Sequence, residues 1–354
     1  MIRSSSLASS RSALYFLRNN FSMWSVLTFV TLLATALAAP LEKRASRTSP
    51  PSGCLSVGSG YTYSTIQAAV NALSQSSTSS QCIWINQGTY KEQVSINTLK
   101  GPLVLYGYTS DTSSYTGNKV TITYNLSQAS GVSNDGSATL RAEIGNLKVY
   151  NINIVNSYGK GSQAVAVSAQ GDKTGFYGVS FKGFQDTLLA NNGAQVYAKC
   201  YIEGATDFIF GQKAAAWFDG VDIRVVNGGY YITANGRDSS SNPSYYVINK
   251  STVAAASGQS VTAGSYYLGR PWRNYARVVF QNTSLSNVIN AAGWHIWGTD
   301  SPNTDHVVFG EYGNTGAGAS GTRASFATKL SSAVSISTVL GSSYTSWVDT
   351  SYLS

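Results

Sequence analysis

Asp186 and Asp207 each close the same four-point pattern. Val179, Phe181, Gly183 and Asp186 match Cys200, Ile202, Gly204 and Asp207 at a constant offset of 21 residues. If the two units stack as neighbouring strands, equivalent positions lie about 4.7–4.9 Å apart. Two carboxylates at that distance resist joint ionisation, so they titrate in separated steps. One is then a proton donor while the other is an anion, the division that an acid and a nucleophile need. A plainer reading stands beside this one. Repeats reuse turns, and a turn Asp caps backbone amides.

Other residue types fit the chemical reading. Gln185 precedes Asp186, and Gln163 opens Gln-Ala-Val-Ala-Val one unit earlier. Neutral amides donate hydrogen bonds to an oxyanion without adding charge. Leu268-Gly-Arg270-Pro-Trp272 sets a guanidinium beside an indole. An Arg next to one aspartate would lower its pKa and aim it through a bidentate bond. Trp272 could support a sugar ring, and Trp294 in Gly-Trp-His-Ile-Trp297 could extend that platform. Taken singly, each aromatic also reads as core packing and Arg270 as a structural ion pair. No Gly-x-Ser-x-Gly elbow and no P-loop occurs. The two histidines, His295 and His306, lack metal-ligand spacing to a Cys or Glu cluster.

The elements that must carry these residues are mostly strands. Tyr63–Leu73 reads as one helix, with Ile66, Ala69, Val70 and Leu73 on one face and Ser64 or Thr65 as N-cap. Short apolar runs follow: Cys82–Ile85, Leu103–Tyr106, Val120–Tyr124, Ala138–Ile144, Val149–Val155, Ala164–Ala169, Thr174–Phe181, Gln195–Ile202 and Ala214–Val226. The repeat extends in both directions. Ile152-Asn-Ile154 matches Val179-Ser-Phe181 at 27 residues, and Val221-Asp-Ile223 matches Cys200-Tyr-Ile202 at 21. Periods of this length belong to solenoids. We therefore expect an all-β, single-domain right-handed parallel β-helix with one N-terminal capping helix. A β-sandwich is the alternative, because its turn signals are similar.

The flanking sequence places the protein outside the cell. Residues 1–39 read as a secretory signal with a possible extended basic n-region, ending near Ala36-Leu37-Ala38. Residues 40–44 read as a short pro-segment closed by Lys43-Arg44, and 45–354 as the working domain. That domain carries 19 basic and 15 acidic residues, a net charge of +4 without a Lys/Arg block. This argues against nucleic acid and suits a soluble acidic polymer. No later apolar run is long enough to span a membrane. Cys54 and Cys82 flank the first helix and could form a disulfide. Cys200 sits in an apolar strand and reads as an inert buried thiol. Asn125, Asn249 and Asn282 open N-glycosylation sequons.

Five segments together resemble one family. Gly88-Thr-Tyr90-Lys-Glu92, Gln163-Ala-Val-Ala-Val167, Gly183-Phe-Gln-Asp186-Thr187, Asp207-Phe-Ile-Phe-Gly211 and Leu268-Gly-Arg-Pro-Trp272 are similar to the motifs of pectin methylesterases, or pectinesterases. They occur in family order and span most of residues 45–354. Val167 stands where leucine is common, a conservative change. The resemblance implies a right-handed parallel β-helix with an outer cleft. It implies hydrolysis of methyl esters of homogalacturonan to pectate and methanol, without metal or cofactor. By the same resemblance Asp207 is the nucleophile, Asp186 the acid and then base, and Gln163 and Gln185 the oxyanion donors. Arg270 holds Asp207, and Trp272 contacts substrate. The short leader resembles secreted fungal members without a long inhibitory pro-region, and a monomer is the default. The rival readings are a glycosidase or lyase on the same fold, or a non-catalytic polysaccharide-binding solenoid.

Overall fold

The computed structural model describes residues 45–354. The expected signal and the Lys43-Arg44 site lie outside the described residues. Three parallel sheets wind around one apolar interior. The first has eleven strands, from Leu55–Val57 to Ala327–Lys329. The second has eight, from Gly88–Lys91 to Ser284–Leu285. The third has seven and carries the site. In spatial order its strands are Val94–Ile96, Leu140–Ala142, Val167–Ala169, Leu188–Ala190, Thr206–Gly211, Tyr231–Asn235 and Tyr267–Pro271. This is the right-handed parallel β-helix expected from the repeat.

The register follows the sequence pattern. Phe181 pairs with Ile154 on one side and Ile202 on the other, at the offsets of 27 and 21. Ile202 in turn pairs with Ile223. All four are buried in the interior, so each coil covers the apolar face of the next. Aromatics stack along the same axis: Phe176 on Tyr197 at 5.1 Å, and Tyr197 on Phe218 at 4.6 Å.

Four expected runs divide in two. Gln195–Ile202, for example, becomes Asn192–Ala198 and Tyr201–Gly204. From the Leu147–Tyr150 coil onward, a single residue with positive φ turns the corner out of the first sheet. Those residues are Asn151, Gly178, Lys199, Gly220, Lys250, Asn282 and Gly313. A one-residue corner leaves no Gly/Pro cluster to read, and at Lys199 and Lys250 no turn residue at all.

The capping helix is shorter than expected, Ile66–Asn71, with Ile66 and Ala69 buried. Thr65 accepts from the Ala68 amide, and Glu92 accepts from the Ile66 and Gln67 amides at 2.9 Å each. Two further short helices form, Asn134–Ser137 and Ile336–Leu340. The second packs with Trp347 and Val348 over outward aromatics of the first sheet, among them Tyr177 and Trp217. Among the described residues no helix is long and apolar enough to cross a membrane. Cys54 and Cys82 are disulfide-bonded. Cys200 is fully buried, and burial pushes its thiol up to about 12.

Candidate active site

The stacked register brings Asp186 and Asp207 together. Gln185 bridges Thr206, and Leu188 pairs with Ile209. Two residues intervene on each coil, so Asp186 lies against Asp207 and Thr187 against Phe208. Both aspartates have left-handed backbone, φ 63° and 51°. Short polar side chains tolerate that region best. The kink is a β-bulge towards the next strand. Thr206 pairs with Tyr231 and Ile209 with Thr233, so Asp207 and Phe208 oppose the single residue Ile232. The extra residue lets Phe208 enter the core while Asp207 turns outward. Gly204 explains the repeated glycine ahead of the kink, since a Cβ there would come within 2.3 Å of the Phe208 side chain.

The two carboxyls differ in their partners. Arg270 grips Asp207 through two bonds, Nε to Oδ1 at 3.0 Å and Nη2 to Oδ2 at 2.6 Å. Arg270 reaches it from two strands away, across Tyr231–Asn235. The Asp186 carboxyl accepts no hydrogen bond from any described residue, although the residue is only 6% exposed. Burial pushes Asp186 well above the usual carboxylate range; the Asp207 charge adds to this and Arg270 opposes it. Burial also raises Asp207, and the Arg270 hydrogen bonds and charge offset part of that rise. The geometry therefore separates a proton-holding carboxyl from one kept ready to ionise.

Gln163 and Gln185 sit on the two coils that lead to Asp207. The amide of Ala164 donates to Gln185 O at 3.1 Å, which ties their backbones together. Gln185 has no side-chain hydrogen bond, and Gln163 has only a long one from Ser162 Oγ to its Oε1, at 3.4 Å. Both Nε2 groups are thus free donors among the described residues. Beneath the site lies a small apolar cluster of Ala138, Val165, Leu189, Phe210 and Ala234, against which Trp272 and Trp297 pack. Trp272 fits beside Gly236, where a Cβ would stand 2.7 Å from its ring.

One expected site residue is elsewhere. Trp294 is 1% exposed, stacks on Phe309 at 4.3 Å and donates from Nε1 to Glu311 at 3.2 Å. It belongs to the interior and cannot meet a polymer. Trp297, three residues on, is the half-exposed ring at the site. With Tyr231 it flanks Arg270, each ring centroid 4.2 Å from the guanidinium carbon. Sequence reasoning singles out neither ring. Trp297 is visible in the Gly-Trp-His-Ile-Trp motif, but nothing in the motif says which indole faces inward. A cavity of about 750 Å³ near the C-terminal coils, lined by residues including Glu311 and Arg323, contains none of these site residues.

Fold and site together define a class: a parallel β-helical protein with a stacked carboxyl pair, one member arginine-held, on an outer sheet face. The Pectinesterase family profile matches residues 55–339. A pectinesterase of Aspergillus aculeatus is 56% identical over 327 residues, covering 91% of this chain and 99% of its own. The crystal structure of a pectin methylesterase from Aspergillus niger superposes with a TM-score of 0.81 at 47% identity, covering 87% of this chain and all of its own. Carrot pectin methylesterase gives 0.78 at 29% identity, covering 86% and 98%. The chain belongs to the pectinesterase family, and its relatives include fungal members.

Proposed function

We propose that this protein hydrolyses the methyl esters of homogalacturonan, giving pectate and methanol through an acyl-enzyme on Asp207. The observation that carries the reading is the asymmetry of the stacked carboxyls, with Arg270 bonded to Asp207 and Asp186 buried without a hydrogen bond from any described residue. An Asp207 oxygen attacks the ester carbonyl carbon. The tetrahedral oxyanion accepts from the free amides of Gln163 and Gln185. The C–OMe bond breaks, and Asp186 protonates the departing methanol. Water then attacks the anhydride, and Asp186 takes its proton as base. The anhydride C–O bond breaks, the uronic acid leaves and gives its proton to water, and Asp207 is again an anion beside Arg270. Trp272 supports the sugar from the edge of the sheet. No step calls on a metal or cofactor.

The substrate side agrees with the charge balance, because a net +4 domain attracts a polymer that becomes more acidic as it is processed. The leader and the disulfide fit a secreted, extracellular enzyme. Asn125 is exposed and open to a glycan, and Asn282 is exposed with its Nδ2 donating to Asn249 Oδ1 at 3.3 Å. Asn249 is 6% exposed and its Nδ2 donates to Asp219 at 2.9 Å, so it is not an acceptor in the folded chain.

The test follows methanol and reducing ends in one reaction on highly methylated pectin. Methanol without new reducing ends is the expected result. New reducing ends without methanol would give the carboxyls glycosidase or lyase roles, and binding without either product would leave a binding module.

A further inference from the structure

Arg270 is held unlike Arg237, Arg277 and Arg323. Arg237 donates to the carbonyls of Asn242, Tyr275 and Ser240, and Arg277 to those of Ser244 and Pro243. Arg323 joins Glu311 to three carbonyls. Among the described residues Arg270 donates to Asp207 alone, with no main-chain anchor for its guanidinium. Two bonds to one carboxylate align the two planes with each other but do not stop the pair from swinging together. Something else must hold Arg270.

We propose that Tyr231 and Trp297 are positioning residues, an aromatic clamp that fixes the Arg270 plane and through it the attacking oxygen of Asp207. The inference rests on the reading of Asp207 as nucleophile. The guanidinium lies between the two rings, 4.2 Å from each centroid, the stacked geometry that arginine takes on aromatic faces. Each ring is itself immobilised. Tyr231 belongs to the strand between Asp207 and Arg270, and its ring is backed by Tyr267 at 5.8 Å and His295 at 5.5 Å. Trp297 arrives on a loop anchored by the buried Trp294. The His295 amide donates to Gly269 O at 3.1 Å, one residue before Arg270, and the Trp297 amide donates to Pro302 O at 3.2 Å. The motif thus has two indoles with separate tasks: Trp294 fastens the loop and Trp297 presses on the arginine. With the rings in place the guanidinium is shielded from water on both faces, which strengthens its hold on Asp207.

The test measures methanol release and its pH profile for Tyr231→Leu, Trp297→Leu and the ring-retaining Tyr231→Phe and Trp297→Phe. The Leu variants lose about tenfold or more in kcat at nearly unchanged KM. Their acid limb moves to higher pH, because Asp207 loses part of the interaction that favours its anion. Tyr231→Phe stays within about threefold of the parent, since the ring and not the hydroxyl does the holding, and Trp297→Phe falls between parent and Leu. Combined with Arg270→Gln, either Leu variant adds no further loss, because both act through that arginine. A raised KM with unchanged kcat and acid limb would make Trp297 a sugar platform and overturn the clamp. Losses that multiply with Arg270→Gln would overturn it too. If a Leu variant does not fold, Trp297→Phe carries the kcat, KM and pH readouts, and an unmoved acid limb there overturns the clamp. Turnover by Asp207→Asn would instead sink the nucleophile reading beneath it.

Discussion

Replacing Arg270 by Gln removes a bidentate grip from a nearly buried carboxylate. The two bonds are 3.0 and 2.6 Å, and the side chains are 19% and 8% exposed. Breaking such a pair from one side costs about 3–5 kcal/mol, mainly through the unpaired charge left behind. The partial exposure of Arg270 favours the lower end, about 3 kcal/mol. With Asp207 as the proposed attacking anion, that corresponds to roughly a hundredfold loss in kcat/KM. The pH profile should move as well. Arg270 pulls down both carboxyls, so its loss raises both, and the whole bell shifts to higher pH. Stability has a definite sign too. Asp207 in the variant holds its proton more tightly folded than unfolded, so stability falls as pH rises from the unfolded carboxylate pKa, about 3.9, through the folded value. The assay is continuous acid release on methylated pectin from pH 4 to 9, with thermal melts at pH 4 and 7. A variant within threefold of the parent, with an unmoved acid limb, would refute the assignment of Arg270 to Asp207.

Other outcomes follow from the same geometry. Asp186→Asn should abolish turnover yet raise Tm at pH 7, because it removes a buried carboxyl whose ionisation opposes folding. The gain vanishes below the unfolded carboxylate pKa, where Asp186 is protonated in both states, and melts across pH 3–7 check the sign. Gly236→Ala should displace Trp272, raising KM for pectin about fivefold or more while kcat changes little, because the new Cβ meets the indole at 2.7 Å. Cys200 should resist iodoacetamide until the chain unfolds, since its thiol is fully buried and its pKa is pushed up to about 12; mass spectrometry of native and denatured samples reads this directly.

The solenoid is legible in the sequence because its inward positions repeat. Phe181, Ile202 and Ile223 are equivalent by spacing alone, and they pair at those spacings in the folded chain. The carboxyl pair is legible for the same reason, and the fixed offset from Gln185 to Thr206 preserves it. Direction is what the sequence does not encode openly. Trp294 and Trp297 share one short motif, and only the loop's tie to Gly269 decides which points inward. Tyr231 sits in an apolar strand and becomes special only because Arg270 passes over it from the next coil. The corners at Lys199 and Lys250 escape a sequence reading because one left-handed lysine carries no turn signature. The C-terminal helix Ile336–Leu340 escapes it because five residues are too few to show a 3.6-residue period.

Those corners also set where the molecule can grow. From Gly178 to Lys199 to Gly220 they recur every 21 residues, then at 30, 32 and 31 through Lys250, Asn282 and Gly313. The corner itself stays one residue long, so the additional chain is housed elsewhere on the coil. Part of it forms the 236–244 loop beside Trp272 and the 295–307 loop that delivers Trp297. Length can therefore be inserted or removed in those loops without altering the pairing of the first two sheets. The scaffold separates what must stay constant, the stacked carboxyls, from what can be exchanged, the walls that decide which stretch of polymer lies over them.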